Sequence, residues 1–259
     1  MSLNSKHRKS NIVEICCADY ESVLTASAAG ADRVELCTGL KEGGMTPSAG
    51  LIRAARQVPG LLLHVLIRPR PGDFLYSAGE VDIMLDDIRR AGELGADGVV
   101  IGALHADGTI DRDAVSRMVE AAGDMYVTFH RAFDLCADPL AAVEELIELG
   151  CDGILTSGQA PTASEGSGFL RKLAAVTAGR LDVIAASGVR SSNVSDIIRN
   201  TGVRCVHSSA SVAKESGMTY RNPGVSMGGG ADEYVRNTAS LREVKLLTDI
   251  AKKCFNEDN

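Results

Sequence analysis

The sequence predicts a single (β/α)8 TIM barrel with a long loop after its eighth strand, and three observations carry that expectation. First, four segments repeat one pattern: Gly30-Ala-Asp-Arg-Val34, Gly95-Ala-Asp-Gly-Val99, Gly150-Cys-Asp-Gly-Ile154 and, more weakly, Gly202-Val-Arg-Cys-Val206. Each glycine closes an amphipathic helical stretch and leads at once into a short apolar strand. The steps of 65, 55 and 52 residues fit two βα units apiece. Second, eight strand-like runs alternate strictly with eight helix-like runs, which requires a parallel sheet and permits it to close. Third, 259 residues is close to the usual length of one such barrel.

In chain order, the strands are expected at 12–17, 33–37, 61–67, 98–102, 125–130, 153–155, 181–185 and 203–207. Helices are expected at 19–29, 47–58, 80–94, 111–122, 138–149, 165–178, 191–200 and 240–254. Thr46-Pro47 and Asp138-Pro139 read as a cap followed by a first-turn proline, and Asp111 as a capping residue. Residues 68–79, with Pro69, Pro71 and Gly72, read as a shaped loop. Residues 208–239, with Arg221-Asn222-Pro223-Gly224 and Gly228–Gly230, read as a long loop with a short helical piece. Both insertions fall at the C-terminal ends of strands, where barrel chemistry sits. Residues 1–11 read as a disordered basic tail, and the barrel domain as 12–259.

Composition narrows the function classes. The chain has no tryptophan and only 4% aromatics against 45% hydrophobic residues, so its core must be aliphatic. A net charge of −7 argues against a nucleic-acid surface. No apolar run reaches the roughly 18 residues of a membrane span. Seven cysteines without paired spacing point to a reducing, cytoplasmic compartment.

Side-chain alternation sorts the strands into two faces. Val13, Ile15 and Cys17, then Val34 and Leu36, then Leu63, Val65 and Ile67, then Val127 and Phe129, and finally Val206 should face the helices. The lumen should then receive Ile12, Glu14 and Cys16; Arg33, Glu35 and Cys37; His64, Leu66 and Arg68; Thr128 and His130; and Cys205 and His207. Buried charges of this number must be paired, hydrated or ligand-bound. A plain ion-pair network of Glu14 and Glu35 with Arg33 and Arg68 is one explanation. A nuclease-like function would require a Mg2+ site from Glu14 and Glu35, and the acidic charge of the chain ranks it last.

Cys16 and Cys37 are more specific. They end adjacent strands in matching Glu14-Ile-Cys16 and Glu35-Leu-Cys37 tripeptides. Neighbouring strands lie about 4.8 Å apart, so both thiols could reach one soft ion, with Cu(I) well matched. Small residues after the later strands, at Thr156-Ser157-Gly158, Ser187-Gly188 and His207-Ser208-Ser209, offer backbone N–H groups for a phosphate. In that competing reading an enzyme binds a small anionic metabolite, with Arg68 as an anion clamp and His130 as general acid or base.

Several longer segments resemble the CutC family of copper homeostasis proteins. They are Glu35-Leu-Cys-Thr-Gly-Leu-Lys-Glu-Gly-Gly-Met-Thr-Pro-Ser48, Ile67-Arg-Pro-Arg-Pro-Gly-Asp-Phe-Leu-Tyr-Ser77, Val127-Thr-Phe-His-Arg-Ala-Phe-Asp134, Leu155-Thr-Ser-Gly158 and Ser216-Gly-Met-Thr-Tyr-Arg-Asn222. The last is similar to the extension of eukaryotic-type members. The resemblance implies a cytoplasmic barrel that handles copper, often as a homo-oligomer, with Cys16 and Cys37 as Cu(I) ligands. It also implies Glu14, Glu35, Arg68, His130, Arg131 and Asp134 as pocket residues, to which the loop positions Ser157, Gly188 and His207 are added. One departure is visible: the family's Pro-Gly-Gly-Gly after the seventh strand is here Ala185-Ala-Ser-Gly188. Two of three glycines are lost, which argues against close backbone approach of a phosphate.

Overall fold

Eight parallel strands hydrogen-bond in sequence order and close on themselves, β1 (Ile12–Cys17) pairing with both β2 (Arg33–Leu36) and β8 (Cys205–Ser208). The computed structural model describes residues 11–225, 227 and 232–257. Between the ends of the barrel wall run β3 (Leu62–Leu66), β4 (Gly98–Ile101), β5 (Tyr126–Phe129), β6 (Gly153–Thr156) and β7 (Asp182–Ala185). Helices α1 (Tyr20–Ala28), α2 (Ala49–Arg56), α3 (Ala78–Glu93), α4 (Arg112–Ala122), α5 (Pro139–Glu148), α6 (Ser167–Thr177), α7 (Val194–Thr201) and α8 (Leu241–Glu257) form the outer layer. The expected (β/α)8 barrel is therefore the fold. The first ten residues, most of the expected disordered tail, and Gly228–Gly230 lie outside the described residues.

The alternation read from the sequence holds strand by strand. Val13, Ile15, Cys17, Val34, Leu36, Leu63, Val65, Ile67, Val127, Phe129 and Val206 join one continuous core between strands and helices. Inside the barrel, Ile12, Leu155, Ile184, Ala186 and Cys205 form one small apolar cluster, and Cys16, Cys37, Leu66 and Val100 another. All seven cysteines are free and buried.

Two of the three helix starts expected from sequence hold. Asp111 accepts from the Ala114 N–H, and Asp138 from the N–H groups of Leu140 and Ala141, as expected of caps. Thr46-Pro47 does not start α2: Ser48 is the cap, accepting from the Leu51 N–H, and the helix begins at Ala49. Thr46 instead accepts a hydrogen bond from the Arg68 backbone N–H through its hydroxyl, which fastens the loop after β2 to the end of β3.

The insertion after β8 also differs from expectation. It begins and ends as an antiparallel hairpin, β9 (Ser211–Glu215) with β10 (Val235–Ala239), and no helix occurs among its described residues. The Lys214 and Arg236 side chains both reach Glu21 on α1, anchoring the hairpin against the barrel's outer layer. Residues 68–77 form a loop, as expected.

Glycine at position 102 is required by packing. A β-carbon there would lie 2.3 Å from His130 Cε1 and 2.5 Å from Nδ1, so the imidazole rests directly on the Gly102 backbone. Gly102→Ala is expected to destabilise the protein by about 1–3 kcal/mol, since overpacking must displace a buried ring. Gly79→Ala, on α3 with nothing within 4 Å of the added atom, is expected to be neutral or mildly stabilising. Urea midpoints of the two variants give the comparison, and equal shifts would contradict the packing account.

Candidate functional site

A cavity of about 480 Å³ opens at the C-terminal ends of the strands. One wall carries Cys16, Glu35 and His207; the other carries Arg68, Phe74, His130, Arg131 and Asp134, with Gly188 and Ser209 at the rim. Cys37 and Glu14 stand just behind the first wall, and Ser157, fully buried, stands behind the second.

Strand register builds the first wall. The parallel pairing sets Glu14 opposite Arg33 on one side and His207 on the other, and sets Cys16 opposite Glu35. Arg33 Nε lies 2.5 Å from Glu14 Oε2, and both side chains are almost completely buried. His207 Nδ1 lies 2.6 Å from the other Glu14 oxygen and 3.6 Å from Glu35 Oε2. One layer higher, the sulfurs of Cys16 and Cys37 are 3.6 Å apart. Leu66, Val100, Ala18 and Leu40 pack around them, and Gly44 closes over Cys37, where an added β-carbon would come 3.8 Å from the sulfur. Cys37 is sealed, whereas Cys16 faces the cavity.

Burial and neighbouring charge set the protonation of this wall. Burial alone would raise the Glu14 carboxyl, but Arg33 and the His207 hydrogen bond outweigh it and hold Glu14 well below the usual carboxylate range. Glu35 lacks such a partner: burial pushes it up to about 7, with the Glu14 charge adding, against His207 and Arg33. Its Oε2 has no hydrogen-bond partner. Burial works against a charged His207, yet Glu35, the Cys16 thiol and Glu14 together raise it well above an ordinary imidazole. The Cys37 hydrogen bond and burial raise the Cys16 thiol, so it is protonated at neutral pH.

The ion-pair network expected from sequence is thus half realised. Arg33 does pair with Glu14. Arg68 reaches neither carboxylate: its Nη1 donates to the carbonyls of Glu42 (2.8 Å) and Gly44 (2.9 Å), and its Nη2 to Gly72 (2.8 Å). The guanidinium lies over the Phe74 ring at 5.2 Å. It pins the two loops that roof the cavity, and most of its donors are already taken.

His130 also departs from the expected role. Its Nδ1 accepts from the Ala132 N–H (3.1 Å), which places the ring proton on Nε2, and Nε2 has no hydrogen-bond partner. Burial, with the Arg68 charge adding, lowers its pKa to about 3. A ring so held is a neutral N–H donor near pH 7 and a poor general acid or base. A histidine depressed on folding contributes stability that is complete above its unfolded pKa near 6.5 and is lost as pH falls toward 3. The slope approaches 1.4 kcal/mol per pH unit in that window. The Asn side chain in His130→Asn can keep the Ala132 contact, so this variant is expected to show a flatter fall in urea stability between pH 7 and pH 5 than the parent. Equal slopes would mean that His130 is already charged in the folded protein.

The later loops are held by their own bonds. Asp134 accepts from Arg131 Nε (2.8 Å), Thr156 Oγ1 (2.5 Å) and the Ser157 backbone N–H (3.1 Å), which ties the 3-10 turn after β5 to the end of β6. Ser187 donates from its hydroxyl to the Pro161 carbonyl, and Ser208 to that of Val189. Ser187 and Gly188 stand at φ of +75° and +69°. The serine therefore occupies a left-handed position that costs a residue with a β-carbon roughly 1–2 kcal/mol.

Two features escaped the sequence reading. Phe74 packs between Arg68 and His130, its ring centre 4.8 Å from the imidazole's, yet it sits in a loop whose path the sequence does not give. Gly102 was legible in principle: it is a glycine just past the end of β4, beside His130 just past the end of β5. Gly98 plays the same part for His64, where an added β-carbon would lie 2.6 Å from the ring.

Residues 11–212 match the model of the CutC family. A CutC family protein of Bacteroides thetaiotaomicron is 50% identical over 234 residues, covering 89% of this chain and 94% of the relative. One from Chromobacterium violaceum is 45% identical over 243 residues, covering 93% and 98%. A Streptococcus agalactiae crystal structure bearing the name copper homeostasis protein CutC superposes with a TM-score of 0.74 at 33% identity, over 76% of this chain and 98% of its own. A thiamine phosphate pyrophosphorylase of Pyrococcus furiosus, 16% identical with a TM-score of 0.57, shares the fold alone. These CutC relatives are bacterial and support the family rather than the eukaryotic-type subdivision expected from residues 216–222.

Proposed function

The chain belongs to the CutC family, and from that premise we propose that it is a cytoplasmic copper-handling protein that holds one Cu(I) ion between Cys16 and Cys37. The observation that carries this reading is the 3.6 Å separation of two free sulfurs delivered by adjacent strands. Soft thiolates select a soft ion, and Leu66, Val100 and Leu40 pack around the two sulfurs. Seven unpaired cysteines suit a reducing compartment, and among the described residues no helix is long and apolar enough to cross a membrane. The test is anaerobic Cu(I) titration against a competing chelator. One tightly held ion per chain is expected; no uptake in competition with the chelator would end the reading.

A second reading is favoured by one observation. The cavity far exceeds the volume of a single ion, and its opposite wall carries Arg131 and His130. A small organic anion, phosphorylated or carboxylated, would fit there, and an enzyme acting on such a metabolite would bind it beside those side chains. Thermal-shift measurements with a panel of small carboxylates and phosphates check it: stabilisation by one class that vanishes in His130→Asn supports the reading, and no stabilisation by any removes it.

A further inference from the structure

Among the described residues, one group of metal-ligating side chains brings three donor atoms within 4.8 Å of one another: Glu14, Glu35 and His207. Closure of the barrel assembles it. The register sets Glu14 opposite His207 across β1 and β8, and Glu35 stands on β2 two residues beyond Arg33, the other partner of Glu14. Both carboxylates are almost completely buried, and Glu35 and His207 line the cavity.

Hydrogen bonding alone leaves this group incomplete. His207 Nδ1 is 2.6 Å from Glu14 Oε1, so a proton on that nitrogen is committed to Glu14. Glu35 Oε2 lies 3.6 Å from the same nitrogen, too far for a hydrogen bond. It has no hydrogen-bond partner, although the residue is only 5% exposed. A buried carboxylate oxygen without a donor is unfavourable unless a cation meets it. A single ion answers all three atoms together. Bonds of about 2.1 Å would put neighbouring ligand atoms roughly 2.9 to 3.4 Å apart, at right-angled or tetrahedral spacing. The two observed separations, 2.6 and 3.6 Å, straddle that range. Arg33 Nε holds Glu14 Oε2 from behind at 2.5 Å, which orients the carboxylate and leaves Oε1 for the ion.

We propose that Glu14, Glu35 and His207 form a binding site for one divalent transition ion of the zinc class, separate from the thiol pair one layer higher. One imidazole and two carboxylates are hard-to-borderline donors, which suit Zn(II) and its divalent neighbours and serve Cu(I) poorly. Three protein ligands leave a further position on the ion, and with Glu35 and His207 lining the cavity, that position opens toward it. On binding, Nδ1 gives its proton to solvent and its lone pair to the ion. The Arg33 charge behind Glu14 opposes a second cation, so micromolar rather than nanomolar affinity is expected. The site stands or falls independently of the Cu(I) reading.

The experiment strips the full chain with a chelator under reducing conditions and titrates it with Zn(II) and, separately, with Co(II) as a spectroscopic stand-in. One Zn(II) per chain is expected. The Co(II) complex is expected to show ligand-field bands without the intense near-ultraviolet band of a thiolate–cobalt bond. Glu35→Gln is expected to lower Zn(II) affinity about a hundredfold, since one ligand of a multidentate site is worth about two decades. Its fold should survive, because Glu35 Oε2 has no hydrogen bond to lose. Joint replacement of Cys16 and Cys37 by serine is expected to leave Zn(II) affinity within about threefold of the wild type. No Zn(II) uptake by the wild type, or unchanged affinity in Glu35→Gln, would overturn the proposal. So would a thiolate band that disappears with the cysteines, which would assign the ion to the sulfur pair. Should Glu35→Gln misfold, His207→Gln is held to the same loss. Cu(I) uptake is titrated apart, so failure of this site and failure of the Cu(I) reading are distinguishable.

Discussion

Replacing Cys16 and Cys37 together by serine is expected to lower Cu(I) affinity by about four decades. Four-ligand structural zinc sites bind with roughly 10–16 kcal/mol, so each ligand carries about 3 kcal/mol, or about two decades in Kd. Serine preserves the size of both side chains but offers a hard, poorly ionised oxygen to a soft ion. The fold should survive, because both positions lie in a small apolar cluster within the lumen and not in the main core between strands and helices. Cys17→Ala gives the decisive contrast. Cys17 is adjacent in sequence to Cys16 and also buried, but it faces the helices. Its replacement is expected to leave Cu(I) affinity unchanged. Chelator competition on the three proteins measures the difference. Equal affinities in the double variant and the wild type would show that the ion binds elsewhere.

The largest effect on stability is expected from Arg33→Met. Arg33 and Glu14 are each only 2% exposed, and the substitution strands a carboxylate among strands with His207 as its remaining charged partner. Breaking a buried pair from one side costs about 3–5 kcal/mol, because the remaining charge has lost its compensation. Adding Glu14→Gln removes that charge and is expected to return part of the loss, which a double-mutant cycle isolates as the coupling between the two residues. The measurement is urea unfolding at pH 7. A shift below about 1 kcal/mol for Arg33→Met would indicate that Glu14 is neutral in the folded protein.

Much of this architecture was legible from residue patterns. The period-two alternation of Val13, Ile15 and Cys17 against Ile12, Glu14 and Cys16 assigns the first strand's faces without reference to any partner. The repeated Gly-x-Asp unit gives the strand spacing, and together they place the two sulfurs on one side of the wall. The contents of the lumen were less accessible, because they depend on closure. His207 meets Glu14 across 193 residues, through the pairing of β8 with β1, and register of that kind leaves no trace in local sequence. Arg68 was legible as a lumen-facing cation but not as a loop anchor, since its acceptors are backbone carbonyls whose directions depend on the path of residues 39–45 and 69–73. The β9–β10 hairpin read as a loop because its strands, Ser-Val-Ala-Lys-Glu and Val-Arg-Asn-Thr-Ala, lack a consistent apolar face. Their pairing is held by the ladder and by ion pairs to Glu21.

The two walls of the cavity divide its chemistry. Sulfur, carboxylate and a charged imidazole meet on one side, whereas a neutral imidazole, Arg68 and an aromatic ring meet on the other. A protein that only stored an ion would have little use for the second wall, which is why a small anion is the natural second ligand to test.

Anomalous diffraction from crystals loaded with Cu(I) under anaerobic conditions examines the copper site most directly. A single peak lying within bonding distance of both Cys16 Sγ and Cys37 Sγ is the anticipated result. Copper density found only among surface side chains, with the two sulfurs left bare, would contradict it.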